Sequence, residues 1–543
     1  MHPNDELLKT IPAFREGIPA LVRFAVLLVF VIIFQCSGGI YLASVSQMMG
    51  TTALMHEDIM MAGYASFVGM TLIFPVLFPL KFRFSSRTIF LTVSSGLVIC
   101  NMITLNTTSL PVMTGCCFIA GALRMWGTFE CFSSMQLRIT PTRNFAVFFP
   151  VVYTVVLGSV QISGILTVRL AYFYEWQYMH YMIIGGLLII ALLACLLMRP
   201  FHVMKPLPLS GIDWLGGILW SIILLLIVFV FEYGEFYDWF DSGYIRAALF
   251  AAFVLGLINI YRMRTLKNPY ICIRTFRYPH IMTILFLFAA MYMVLLATPT
   301  VLQNAYIGIL HYDSLNAISL NWAVFAGIVA GALFTWLALV RYHVKYKPLV
   351  FLGLALMVGY QVFFYFLISP DMNNELLFLP LMMRGAGNVM MYIVLTVYAS
   401  QVIPFQHFFQ ALSLMGFIRS GVGSPIGTAF INRLFIVLHK ENLLSLSSEL
   451  DAQNPVTGHL SFNAIYGELE RQALMVSIKQ VFGYVAIFGI LLLMAALLTK
   501  YRVINKYVKM PVFTFPRRLR EIKIFHRPRY TVEELVNGQT EKE

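Results

Sequence analysis

Charge is what this sequence has least of: 12% of its 543 residues are Asp, Glu, Lys or Arg, against about a quarter in soluble globular proteins. With 59% hydrophobic residues, that scarcity excludes a soluble globular chain and predicts an all-α polytopic membrane protein. Cysteines are few. The seven (Cys36, Cys100, Cys116, Cys117, Cys131, Cys195 and Cys272) make no Cys-x-x-Cys or Cys/His spacing, so they read as small packing residues, with no metal site or disulfide framework expected. There is no phosphate-binding loop, no His-Glu-x-x-His and no Gly-x-Ser-x-Gly elbow, so neither an enzyme nor a nucleotide-driven pump is expected. Any uphill work would draw on an ion gradient, with no cofactor.

Apolar runs recur near residues 20–48, 60–80, 88–106, 111–137, 145–170, 179–198, 213–232, 244–262, 280–303, 317–340, 348–369, 376–400, 409–437 and 474–499. Twenty residues at about 1.5 Å rise match the ~30 Å hydrocarbon slab. Fourteen spans are therefore expected. The first run is too long for a signal peptide and lacks a small-residue cleavage site, so it reads as a retained span.

Loop charge sets the expected orientation. One set of alternate connections carries Lys81, Arg83 and Arg87, then Arg138 and Arg143, Arg199 and Lys205, Arg262 to Arg277, and Arg341 to Lys347. The other set carries His56-Glu57-Asp58, the uncharged Asn106-Thr107-Thr108, the acids between Glu232 and Asp241, Asp313, and Asp371 with Glu375. The positive-inside rule places the basic set, and with it both termini, in the cytoplasm. A basic tail from Lys500 to Arg529 follows the last run and suits anionic lipid. This one-sided distribution accounts for the net charge of +13 without nucleic acid as a partner. One outer connection is long, from Leu438 to Ala473, with an amphipathic pattern from Leu460 to Leu474. It reads as a loop on the membrane surface or as a contact surface for another protein.

The stretch from Gly211 to Ser242 organises the rest. Ile212-Asp213-Trp214-Leu215-Gly216 opens it, some twenty apolar residues follow, and Gly234-Glu235-Phe236-Tyr237-Asp238-Trp239-Phe240-Asp241-Ser242 closes it. Trp214 and Trp239 sit where aromatic rings anchor at the two headgroup levels. The pattern resembles the first inserted helix of the fourteen-span drug:proton antiporters of the major facilitator superfamily. The resemblance implies the major facilitator fold: two six-helix bundles around a central cavity, with two inserted helices between them. The layout is then a cytoplasmic segment 1–18, an N-terminal bundle 19–200, inserted helices 201–278, a C-terminal bundle 279–500 with the outer loop 438–473, and a basic tail 501–543. It implies a bacterial inner-membrane exporter of amphipathic drugs or toxic compounds, driven by protons. A periplasmic membrane-fusion adaptor and an outer-membrane channel are the partners it implies.

Charges inside the apolar runs are the site candidates, because each costs a few kcal/mol there. The fourth run holds Arg124 and Glu130, about 120° apart on an ideal helix and so able to face one cavity from adjacent sides. They are the candidates for proton coupling, although Arg124-Met125-Trp126-Gly127 keeps only the Arg and Gly of the family's signature in this span. Arg384, in Arg384-Gly385-Ala386-Gly387, and Arg419 are the cavity or substrate candidates. Gly158 and Gly164 in the fifth run, and Gly421, Gly423, Pro425 and Gly427 in the thirteenth, are the candidates for close packing and bending. An excess of Arg over Glu facing one cavity would favour an anionic or zwitterionic amphiphile. The alternatives are a facilitator or exporter of a specific anionic or lipid-like metabolite, and a non-transporting assembly subunit.

Overall fold

The computed structural model describes residues 13–15, 17–39, 42–200, 209–299, 302, 309–310, 312–369, 372–449 and 461–498. Lys205, Asp371, the middle of the connection 438–473 and the basic tail lie outside these residues, as does most of the segment before the first helix.

Each of the fourteen apolar runs contains a helix. In chain order they are α1 (Ala20–Cys36), α2 (His56–Leu72) with α3 (Phe74–Arg83), α4 (Ser86–Asn106), α5 (Leu110–Ile139), α6 (Phe145–Phe173), α7 (Gln177–Leu197), α8 (Trp214–Glu232) and α9 (Gly243–Thr265). There follow α10 (Ile281–Ala290), α11 (Ser314–Trp336), α12 (Tyr346–Leu367), α13 (Phe378–Val402), α14 (Phe405–Gly416) with α15 (Ser424–Ser448), and α16 (Phe462–Leu498). Among the described residues eleven helices are long and apolar enough to cross a bilayer, and the bent pair α2/α3 brings the number to twelve. α1 and the segment Ile281–Leu295 are shorter apolar helices.

Each half is knit by its second and fourth helices. α2 packs on α5 in the first half and α11 on α13 in the second. Glycine makes the approach possible: a Cβ on Gly121 would lie 1.8 Å from the Ser66 carbonyl oxygen, and one on Gly385 would lie 2.3 Å from that of Val324. Without a side chain the helix backbones pass at a distance no other residue allows. The halves meet where α6 runs along α11 and α13 and where α2 meets α14 and the segment Phe417–Gly423. Gly158 and Gly164 sit on the first of these faces, against Phe325 and Asn321. Gly427 sits against the Met293 backbone inside the second half, and Pro425 stands just after the segment Phe417–Gly423, in the first turn of α15.

α8 and α9 differ in how they pack. α8 packs on α2, α9, α15 and the segment Phe417–Gly423, bridging both halves, whereas α9 packs chiefly on α8 and shows its aromatic residues outward. Asp213 explains the Ile-Asp-Trp opening. Its carboxylate accepts from the Gly216 N–H at 3.0 Å, capping α8, and pairs with Arg262 at the end of α9 at 2.6 Å. At the other end Tyr233 donates to Asp58, and Glu235 pairs with Arg433 at 2.7 Å. Burial first, and the Asp58 hydrogen bond second, raise the Tyr233 phenol above its ordinary value.

Of the connection 438–473, α15 covers the described residues to Ser448 and α16 those from Phe462. Asn442 ties the two together, donating to Ser477 and to Gln480 at 2.9 Å each.

Candidate functional site

Proline shapes the basic end of the first half. Pro75 and Pro79 interrupt the ladder, and the pair α2/α3 bends by 59°. The bend turns Lys81 back into the bundle instead of leaving it in a loop. Lys81 Nζ donates to Glu130 Oε1 at 2.6 Å, and both side chains are 1% exposed. Ser86 and Ser134 donate to the same oxygen at 2.5 and 3.3 Å, while Glu130 Oε2 is buried and accepts no hydrogen bond.

Arg124 and Glu130 therefore serve separate clusters. Arg124 is buried between α1, α2 and α5: its guanidinium reaches the Gln35 carbonyl at 3.5 Å and Met70 Sδ at 3.4 Å, and lies 5.8 Å over the Phe67 ring. Gln35 in turn donates to Thr128 at 2.9 Å. Arg384 lies 5.8 Å over the Tyr360 ring, within the second half.

A cavity of about 160 Å³ lies where the two halves meet. Of the four charged candidates only Arg419 lines it, and among the described residues it is the single charged residue of the lining. The backbone explains the placement. Phe417–Gly423 is a π-helical segment between α14 and α15, a wider turn that shifts side chains out of α-helical register. Arg419 lies 5.0 Å over the Tyr392 ring. Tyr392 shares a short hydroxyl contact with Tyr292, and its ring lies 5.1 Å from that of Tyr153, whose hydroxyl meets Thr396 at 2.8 Å. The other polar lining residues are neutral: Gln35, Thr71, Thr128 and Ser133.

The rest of the lining is dominated by phenylalanine, and its arrangement follows an internal repeat. Phe145-x-x-Phe148-Phe149 opens α6, the fifth helix of the first half, and Phe405-x-x-Phe408-Phe409 opens α14, its counterpart in the second. All six rings line the cavity. Phe145 and Phe149 lie 5.6 and 6.1 Å from Phe408, and Phe405 lies 5.7 Å from Phe78 on α3. The repeat and the three tyrosines were not among the sequence candidates. The recurrence of Phe-x-x-Phe-Phe at the same place in each half was the available signal.

The basic end is also strapped. Tyr270 donates to the Leu72 carbonyl, Gln410 accepts from the Cys272 N–H and from Thr275 at 3.1 Å each, and Ser413 donates to the Thr71 carbonyl at 2.8 Å. The segment after α9 thereby touches both halves. Among the described residues no group of His, Cys, Asp and Glu is placed to hold a metal ion.

The overall arrangement is shared with solved membrane transporters. A proton-dependent oligopeptide transporter structure aligns with a TM-score of 0.57 at 10% identity, covering 88% of this chain and 97% of that one. A peptide transporter POT aligns at 0.57 and 13% identity, covering 91% and 98%, and the nucleoside transporter NupG at 0.50 and 12% identity, covering 88% and 99%. No family model and no curated protein sequence matches the chain. The chain is an integral membrane protein with the major facilitator fold.

Proposed function

We propose that the protein is a secondary transporter that exports amphipathic compounds across a bacterial inner membrane, coupled to the entry of protons. The observation that carries this reading is the cavity itself. It lies between the two halves, is lined by apolar rings with one charge among the described residues, and is crossed by contacts from both sides, with Phe145 on Phe408 and Ser413 bonded to Thr71. Such a site alternates between the two faces when one half rocks against the other. The likeness in fold to nucleoside and peptide transporters, one of them proton dependent, supports the class.

In this reading fourteen spans place both termini in the cytoplasm, and Glu130 is the proton carrier. Protonation of its carboxylate would release Lys81, loosening α3 from α5 at the basic end, while Arg124 holds Gln35 at the cavity wall. α16, at 37 residues, is about 55 Å long against a ~30 Å hydrocarbon slab. Its outer part and that of α15 are then the surface for a periplasmic adaptor and, through it, an outer-membrane channel. The test is accumulation of an amphipathic dye in inside-out vesicles under an imposed pH gradient. The reading expects accumulation that stops when an uncoupler collapses the gradient; accumulation indifferent to the gradient would leave a facilitator.

A further inference from the structure

We propose that the central cavity is a two-part site for compact amphipathic monoanions, holding the anionic group at Arg419 beside Tyr153 and Tyr392 and the apolar body between the two Phe-x-x-Phe-Phe triplets. The proposal names the substrate class of the transport reading above and rests on it for the direction of movement, but binding itself requires no gradient.

The charge argument begins with what Arg419 lacks. Among the described residues no carboxylate lies within ion-pair distance of it, and its guanidinium lies over the face of Tyr392. A guanidinium in an apolar cavity without a counter-charge is an expensive arrangement. A carboxylate entering the cavity supplies that counter-charge and matches the planar fork with paired hydrogen bonds. A lipophilic cation meets the reverse: neutral oxygens at Gln35, Thr71, Thr128 and Ser133, no carboxylate among the described residues of the lining, and a tyrosine face already occupied by Arg419.

The shape argument comes from the repeat. Three rings from α6 and three from α14 line one space, so an apolar body among them touches both halves at once. The anionic group is likewise shared, with Arg419 and Tyr392 from the second half and Tyr153 from the first. The volume of about 160 Å³ is below the roughly 300 Å³ at which drug-sized pockets begin. That favours an aromatic or short-chain acid over a bulky polycyclic compound.

The experiment is calorimetric titration of the purified full chain in nanodiscs with three probes of one shape: 2-naphthoate, 2-naphthylmethylammonium and 2-naphthol. Loss of a charge-assisted pair corresponds to about tenfold or more in affinity. Naphthoate is therefore expected to bind at least that much more tightly than the ammonium compound. The preference should vanish in Arg419→Gln, persist in part in Arg419→Lys, and remain whole in Arg384→Gln. Phe148→Ala combined with Phe409→Ala should weaken naphthoate and naphthol in equal proportion. The natural chain alone decides the charge question, so a variant that fails to fold leaves the test intact. Equal or tighter binding of the ammonium compound, no binding of naphthoate, or a preference that survives Arg419→Gln would overturn the proposal. Naphthoate binding without transport would sink the transport reading and spare the site; cation transport without naphthoate binding would do the opposite.

Discussion

At the scale of single residues, the Lys81–Glu130 pair makes the sharpest demand. Both side chains are 1% exposed, and removing one partner of such a pair leaves a buried charge at a cost of about 3–5 kcal/mol. Lys81→Met alone and Glu130→Leu alone should each destabilise the protein by about that much, whereas the double variant should recover most of the loss. Thermal unfolding in detergent checks this; a loss in the double variant equal to the sum of the two single losses would mean that the pair is not coupled. The pair was half legible in the sequence. Glu130 stood out as an acid inside an apolar run, but Lys81 counted as a loop charge, because only the bend at Pro75 and Pro79 carries it inward. The expectation that Arg124 and Glu130 share a cavity rested on one ideal helix, whereas Lys81 and Gln35, which hold them apart in separate clusters, come from other helices, which spacing along one helix cannot reveal.

At the scale of elements, the π-helical segment Phe417–Gly423 decides where Arg419 points. A π turn is in effect one residue inserted into an α-helix. Deleting Val422 should restore a regular helix from α14 into α15, keep the fold, and abolish the preference for 2-naphthoate. Calorimetry with circular dichroism reads both; an unchanged preference would mean that the π turn does not place Arg419. Helix contacts make a second prediction. Gly121→Ala forces a Cβ onto the Ser66 carbonyl, while Gly256→Ala on α9 meets nothing within 4 Å. The first should destabilise strongly, and the second should be neutral or stabilise by up to about 1 kcal/mol through helix propensity. The glycine-rich pattern around Arg419 was readable in the chain, whereas a π turn leaves no mark in composition. The Phe-x-x-Phe-Phe repeat was present but was hidden among 46 phenylalanines, since membrane packing alone calls for such residues.

At the scale of the whole molecule, composition and apolar periodicity sufficed for the all-helical architecture, because a bilayer admits few alternatives. Which residues share the cavity was not recoverable, since it depends on contacts between halves far apart in the chain, such as Tyr153 with Thr396, Phe145 with Phe408 and Thr71 with Ser413. Those contacts give the moving parts a test. A Cβ on Gly416 of α14 would lie 2.8 Å from Thr71 Cβ of α2, near the ~3.8 Å of a disulfide after a small adjustment. With the seven native cysteines replaced, Thr71→Cys with Gly416→Cys should transport when reduced and stop when oxidised. Activity unaffected by oxidation would mean that the halves do not separate there.

The central claim, that the cavity couples substrate movement to protons, is tested most directly by proton flux in proteoliposomes on adding amphiphiles, comparing the natural chain with Glu130→Gln. The account predicts substrate-dependent proton movement in the natural chain and its loss in Glu130→Gln. Substrate movement without proton flux, the same in both proteins, would contradict it.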